Sequence, residues 1–276
     1  MAAPPAPLGQ FLELALPTHD IAASVQFYER LGFTQRLTGD AWPHPYGVLG
    51  DGRLHLGLHQ RPSAGGTGRG SYEATALLEA PTPCFVHAGL ARQAERLRQY
   101  GLDPQVLQLG EESLHHLWLR DPGGHALLLQ EARTFSPVQL DADTDDELDV
   151  RERGRAGARS LCGEFLQLSL PESDFEAALA FWERAGFVGV PAEELPYAHQ
   201  PLTSDQLNLA FHAPRSCDAA LLVFEMVDPA ETLARLGRQD ILPLSRPPRA
   251  LQHPGNVVLE APEGTLLLLA PPRSTG

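Results

Sequence analysis

Two predicted strands carry the side chains with the most evident capacity for chemistry. Glu13 lies in the segment FLELALP, where leucines alternate with other residues. The segment RLHLGLHQ places Arg53, His55 and His59 on one face and its leucines on the other. Glu13 and His55 supply the oxygen and nitrogen donors that a divalent metal accepts, and they could equally form a general acid–base pair. The competing interpretation is a hydrogen-bonded pair that fills the interior, with His55 or Arg53 as the partner of Glu13.

Other polar and aromatic side chains could line a ligand pocket beside these. The candidates are Arg53, His59, Trp42, Tyr46, Cys84, His115, Trp118, Gln167, Asn208 and His212. His115 and His116 are adjacent, so in a strand they face opposite ways and cannot both bind one ion. For Cys84 we expect a buried structural role, and aromatic residues in general belong to the core more often than to pockets.

An internal repeat indicates how these residues are positioned. The segments FLELALPTHDIAASVQFYERLGF and FLQLSLPESDFEAALAFWERAGF begin at Phe11 and Phe165 and are identical at 12 of 23 positions. Each copy is typical of a strand, an N-capping aspartate (Asp20 or Asp174) and an amphipathic helix. A weaker second copy of this plan follows in each half. The sequence therefore predicts an α+β fold with four βαβββ units in two tandem modules.

The repeat also sets the expected domain boundaries. We expect an N-terminal module over residues 1–135, a solvated linker over 136–162 and a C-terminal module over 163–276, because the intervening segment is charged and poor in apolar residues.

Composition excludes several classes of partner and chemistry. The net charge of −14 argues against nucleic acids and anionic membranes. All 21 basic residues are arginine, which excludes Schiff-base chemistry through lysine and favours a bacterial source. We expect a cytoplasmic protein for three reasons. The three cysteines are dispersed, the sequence does not start like a signal peptide, and it contains no long apolar run.

The pattern over residues 20–33, with the Asp-Pro-x-Gly turn that begins at Asp121, resembles the vicinal oxygen chelate superfamily. That superfamily includes glyoxalase I, bleomycin-resistance proteins and extradiol dioxygenases. The resemblance covers residues 8–133 and 163–272. It implies that the two units of each module curl into a cup that holds the ligand or a metal. It also implies that metal ligands come from the first and last strands of each unit.

Most of the ligand positions implied by this resemblance hold residues that do not bind metals. In the first module they fall on Glu13, His55, Thr82 or Cys84, and Leu128; in the second they fall on Gln167, Asn208, an apolar residue near Leu222, and Leu268. Only Glu13 and His55 are ordinary donors. We therefore expect an incomplete metal site in the first module and none in the second.

Two functions remain as alternatives. The first is metal-independent binding of a small organic molecule in the N-terminal module, or a degenerate enzyme, with no cofactor. The second is a metal-dependent lyase or dioxygenase that uses Glu13 and His55, with a divalent metal completed by His115 or water. The second module could be purely architectural. In that case the chain would be a monomer with an internal pseudo-dimer, or a homodimer.

Overall fold

The structure is a computed structural model that describes residues 8–38, 44–61, 78–107, 116–132 and 160–273. Trp42, His115 and residues 136–159 of the predicted linker lie outside the described residues. The described chain forms two mixed β-sheets, each with two α-helices. The predicted α+β fold of two tandem modules is confirmed.

The N-terminal sheet has eight strands. They are β1 (Gln10–Thr18), β2 (Thr34–Thr38), β3 (Tyr46–Gly50), β4 (His55–Gln60), β5 (Thr82–His87), β6 (Gln105–Leu107), β7 (His116–Arg120) and β8 (Ala126–Glu131). Their order in the sheet is β2-β3-β4-β1-β5-β8-β7-β6. Helix α1 (Ile21–Arg30) follows β1, and helix α2 (Leu90–Gln99) follows β5. The two βαβββ units therefore meet where β1 pairs antiparallel with β5.

The C-terminal sheet repeats this plan with seven strands. They are β9 (Glu164–Pro171), β10 (Val188–Gly189), β11 (Gln200–Thr203), β12 (Asn208–His212), β13 (Leu221–Glu225), β14 (Val257–Glu260) and β15 (Leu266–Ala270). Their order is β10-β11-β12-β9-β13-β15-β14, with β9 and β13 antiparallel at the centre. Helices α3 (Phe175–Arg184) and α4 (Pro229–Arg238) follow β9 and β13.

Local sequence signals explain where the first helix of each module begins and ends. Asp20 Oδ1 accepts a hydrogen bond from the backbone N–H of Ala23 at 3.0 Å, and Asp174 does the same for Ala177. These contacts satisfy N–H groups that have no partner inside the helix. Gly32 follows α1 with φ of 90°, a left-handed conformation that ends a helix without strain.

The two faces of each sheet have different surroundings. Leu14, Leu16, Leu56 and Leu58 pack with helix residues in one large buried cluster. The opposite face, which we call the cup face, carries a separate apolar cluster in each module. Leu12 differs from the predicted alternation, because a β-bulge between Phe11 and Glu13 turns it to the cup face. A bulge inserts one residue into a strand and shifts the side-chain parity around it.

The helix faces of the two modules share a single core. One continuous cluster contains Tyr28 and Leu97 from the N-terminal helices and Trp182 and Leu236 from the C-terminal ones. The backbone N–H of Leu161 also donates to the carbonyl of Leu31 at 2.7 Å. The modules therefore pack through their helices, which leaves the cup faces on the far sides of both sheets. None of the helices among the described residues is long and apolar enough to cross a membrane.

Candidate functional site

A buried group of polar side chains lies on the N-terminal cup face, and we call it the N-terminal polar cluster: Glu13, His44, Tyr46 and His59. The Tyr46 hydroxyl donates to Glu13 Oε2 at 2.5 Å, and His59 Nε2 lies 3.5 Å from Glu13 Oε1. His59 Nδ1 lies 2.9 Å from His44 Nε2. Glu13 is only 1% exposed and His59 is fully buried. A carboxylate so well removed from water needs these partners.

Strand pairing and one glycine bring the cluster together. β3 and β4 pair so that Tyr46 stands opposite His59. Gly57 lies two residues before His59 on the same face, and a Cβ atom there would lie 2.4 Å from Glu13 Oε1. The Glu13 carboxylate therefore occupies the space that a side chain at position 57 would fill.

The cluster's surroundings set the protonation of its members. Burial, and then the neighbouring His59, lower the pKa of His44 to about 3, so this imidazole is neutral at pH 7. Burial raises the pKa of Tyr46 well above its usual value, and Glu13 adds to the shift. Burial and Glu13 also raise the pKa of the Cys84 thiol. Tyr46 is therefore a phenol donor, and without a metal the Cys84 side chain is a neutral thiol.

The structure gives Glu13 partners other than the two that the sequence suggested. The ring of His55 lies with Nδ1 3.3 Å from the carbonyl oxygen of Leu12. Arg53 forms a salt bridge with Glu164 of the second module, and both side chains are about half exposed. The Glu13 side chain instead leans along β4 toward His59, because Gly57 leaves room for it.

The remaining N-terminal positions that the resemblance implies lie in apolar or hydrogen-bonded surroundings. Cys84 pairs with Glu13 on one side and with Leu128 on the other. Both pack with Trp118 in the apolar cluster of the cup face. The hydroxyl of Thr82 donates to the carbonyl of Ala80 at 3.0 Å.

Two facing donors, Glu13 Oε1 and His59 Nε2, do not complete a metal site of the kind that proteins build from three or more side chains. In the parts of the chain that the structure describes, the one group of three His, Cys, Asp or Glu residues close enough to share an ion lies elsewhere. It consists of Asp121, His125 and Glu172 at the junction of the modules. A divalent metal could be held there.

The C-terminal cup face carries a related set that we call the C-terminal polar cluster: Gln167, Tyr197, His199 and His212. The Gln167 amide donates to the Tyr197 hydroxyl at 3.0 Å, and His212 Nδ1 lies 2.8 Å from the hydroxyl of Ser169. The rings of Tyr197 and His199 stack at 4.5 Å. Burial lowers the pKa of His212 to about 4 and raises that of Tyr197. This cluster contains an amide where the first cup has a carboxylate.

The other C-terminal positions that the resemblance implies are apolar or carry an amide side chain. Val223, beside the expected Leu222, pairs with Gln167, and it packs with Leu268 in an apolar cluster. Asn208 is exposed, and its side chain bonds to Thr203 and to the carbonyl of Leu166.

Three members of these clusters were not among the residues singled out from the sequence: His44, Tyr197 and His199. A signal for them exists. His44 and Tyr46 precede His59 by 15 and 13 residues, and Tyr197 and His199 precede His212 by the same distances in the opposite order of residue type. That spacing places each pair on the strand, or its entry, that lies beside the histidine.

A shallow pocket of about 270 Å³ lies between the modules rather than in a cup. Its lining includes Phe11, Arg53, Phe165 and Asn208. Most of these side chains are exposed or apolar, whereas each cup face carries a cluster of buried titratable groups, so we place the candidate site in the cups.

Comparison with known proteins bears on the fold. No protein-family model matches the sequence, and no curated protein matches it. Among solved structures, a variant of 4-hydroxymandelate synthase from Streptomyces coelicolor matches with a TM-score of 0.59, 13% identity and coverage of 96% of this chain and 92% of that one. The 2,3-dioxygenase LapB from Pseudomonas sp. KL28 matches with a TM-score of 0.56, 14% identity and coverage of 95% and 92%.

A variant of homoprotocatechuate 2,3-dioxygenase from Brevibacterium fuscum matches with a TM-score of 0.57 and 13% identity, over 97% of this chain and 72% of that one. These matches run through both modules, and all three proteins have the fold that the sequence resembles. The chain therefore has the vicinal oxygen chelate fold, and the matches extend over both of its modules.

Proposed function

We propose that the chain binds a small organic molecule in the N-terminal cup without a metal, either as a binding protein or as a degenerate enzyme of this fold. The observation that carries the proposal is the pairing of a buried carboxylate with Tyr46 and His59. Beside that pairing, the implied metal positions Cys84 and Leu128 pack as apolar residues.

Two buried atoms of this cup indicate the chemistry of the ligand. Among the described residues, neither Glu13 Oε1, which faces His59 Nε2 at 3.5 Å, nor Trp118 Nε1 makes a hydrogen bond. Each such atom costs about 1–3 kcal/mol when left without one. A molecule that offers one hydrogen-bond donor and one acceptor would satisfy both. Trp118 and Tyr46 supply apolar surface for an aromatic or other flat body.

Thermal-shift titration of chelator-treated protein tests this proposal. We would use a panel of phenols and aromatic hydroxy acids that includes catechol and 4-hydroxymandelate, the compounds in the names of solved neighbours. We expect at least one compound to raise the melting temperature, and the shift to be lost in Glu13→Gln. The matched control is Gln167→Ala in the other cup, which should keep the shift.

A shift that survives both Glu13→Gln and Trp118→Phe would place the ligand outside the N-terminal cup and contradict the proposal.

The second candidate is a metal-dependent lyase or dioxygenase with its site in the same cup. The 3.5 Å between Glu13 Oε1 and His59 Nε2 favours it, because two ligands of one ion stand at such a distance. Metal analysis of protein purified without chelators separates the candidates. Stoichiometric Fe, Mn, Zn or Ni that is lost in His59→Ala and retained in Glu172→Gln would favour the metal-dependent function.

The division of the chain is also part of this proposal. We propose modules over residues 1–135 and 163–276 joined by a linker over 136–162, with the second module mainly supporting the first. The shared helix core supports this role, because the first module alone would expose Tyr28 and Leu31 to water.

A further inference from the structure

The two modules are joined by a reciprocal contact between the last hairpin of one and the first helix of the other. In one contact, Glu263 of the C-terminal hairpin accepts hydrogen bonds from the hydroxyls of Ser24 and Tyr28 on α1, at 2.7 and 2.6 Å. In the other, Asp121 of the N-terminal hairpin accepts a hydrogen bond from Trp182 Nε1 on α3 at 3.0 Å. Tyr28 and Trp182 are equivalent residues of the sequence repeat. The contacts are thus related by the internal duplication.

The charges of the two contacts differ. The contact at Glu263 has one carboxylate that receives two hydroxyl donors. The contact at Asp121 has a second carboxylate, Glu172, which stands where the first module has Thr18. One oxygen of each carboxylate and one ring nitrogen of His125 lie within 4.8 Å of one another. Asp121 is 5% exposed and Glu172 is 2% exposed, so this contact concentrates negative charge away from water.

The three side chains are held in the way that metal ligands are held. His125 Nε2 lies 2.8 Å from the carbonyl oxygen of Pro171, which can only accept, so Nε2 carries the hydrogen and the lone pair of the ring is on Nδ1. Metal-bound histidines commonly donate their other N–H to a carbonyl in this manner. Asp121 Oδ1 is fixed in turn by the backbone N–H of His125 at 2.8 Å.

The surroundings of Glu172 provide independent support for a bound cation. Its Oε1 accepts from the backbone N–H groups of Ser173 and Asp174, at 2.7 and 3.0 Å. Its Oε2 is buried and has no hydrogen-bond partner among the described residues. Gly123 makes room for that oxygen, because a Cβ there would lie 2.0 Å from it. A buried carboxylate oxygen with no partner, on a residue grouped within 4.8 Å of an imidazole and a second carboxylate, is an atom that a bound cation would satisfy.

We propose that Asp121, His125 and Glu172 bind a divalent cation of the zinc, cobalt or manganese class that links the two modules. Two carboxylate oxygens and one imidazole nitrogen are a donor set that such ions accept, with water filling the remaining positions. The site lies at the hairpin between the modules, outside both cups. It is therefore a structural site, separate from any ion that a reaction in a cup would use.

Titration of the chelator-stripped, full-length protein with Co²⁺ and Zn²⁺ tests the proposal. We expect one equivalent of Co²⁺ to produce visible absorption bands of a protein-bound ion, and Zn²⁺ to raise the melting temperature. Glu172→Gln should weaken binding at least about tenfold, because losing even a residue that only supports a metal ligand typically costs that much. Glu263→Gln, the equivalent change at the hydroxyl-bonded contact, should leave it unchanged, and so should Glu13→Gln in the cup.

The melting temperature measured in the presence of a chelator shows whether a variant that loses metal binding is still folded. Without metal, Glu172→Gln should melt at the same temperature as the parent or higher, because it removes one of two adjacent carboxylates. Failure of both ions to bind would overturn the proposal and leave a shared proton as the cation. Binding that survives in Glu172→Gln but is lost in Glu13→Gln would also overturn it, since the ion would then reside in the cup.

Discussion

The placement of Glu13 predicts a specific effect of adding one methyl group at Gly57. The new Cβ would lie 2.4 Å from Glu13 Oε1 and 2.5 Å from its Cδ, closer than such atoms approach. Gly57 lies inside β4 and its φ is not positive, so the backbone accepts alanine. Any loss of stability in Gly57→Ala must therefore come from the displaced carboxylate.

The size of the loss follows from what Glu13 gives up. Displacement breaks the hydrogen bond from Tyr46, and a hydrogen bond to a charged group contributes about 1.5–3 kcal/mol. Replacing glycine by alanine within a strand returns about 0.5–1 kcal/mol. We expect a net loss of roughly 1–2 kcal/mol, which lowers the melting temperature of a chain of this size by about 2–8 °C.

Urea unfolding of four proteins measures the effect: the parent, Gly57→Ala, Glu13→Ala and the double variant. With Glu13 truncated, the added methyl group meets no carboxylate, so alanine at position 57 should then stabilise by about 0.5–1 kcal/mol. The sign of the Gly57→Ala effect should therefore reverse between the two backgrounds. Equal costs in both backgrounds would refute the steric explanation.

Three further predictions concern other parts of the chain. Burial lowers the folded-state pKa of His212 to about 4, below the unfolded value near 6.5, so its contribution to stability is lost as the pH falls through that interval. At pH 5 the loss in the free energy of unfolding is roughly 2 kcal/mol. The urea midpoint of His212→Gln should therefore fall less on acidification than that of His253→Gln, a control at an exposed histidine. Arg53→Ala removes a half-exposed salt bridge and should change the free energy of unfolding by less than about 1 kcal/mol in urea titrations. Leu128→Ala should lose about 2–5 kcal/mol by the same measurement, and a loss well below that would mean that the apolar side of the N-terminal cup is not close-packed.

The elements that local sequence specifies were predictable. Asp20 and Asp174 predict where their helices begin, because a capping carboxylate bonds to a backbone N–H only three residues away. The alternating leucines of RLHLGLHQ likewise predict which face of the strand is buried in the core. This prediction needs only local sequence, because side chains alternate between the two faces within a single strand. The duplication then extended these local predictions to the whole fold.

The partners within the cup were not predictable from parity. His55, Gly57 and His59 share one face of β4, and alternation alone cannot say which of them meets Glu13. The choice depends on the bulge at the start of β1 and on the empty space over Gly57. The contact with Tyr46 depends in addition on the register between β3 and β4, which is set by non-local pairing.

The junction cluster is still less accessible to sequence reasoning. Asp121 and His125 belong to one hairpin, whereas Glu172 belongs to the other module and is 47 residues beyond His125. Its position at the end of β9 becomes informative only after the packing of one module on the other is known.

The substitution of Gln167 for Glu13 between the duplicated halves has a consequence for stoichiometry. A ligand that must donate a proton or a charge-assisted hydrogen bond finds a carboxylate acceptor in only one half. The other half offers the amide oxygen of Gln167, which is neutral and does not accept a proton. Saturation is therefore expected at one molecule per polypeptide, despite two folds of the same ancestry. A measured ratio of two would mean that neutral hydrogen bonding suffices for recognition.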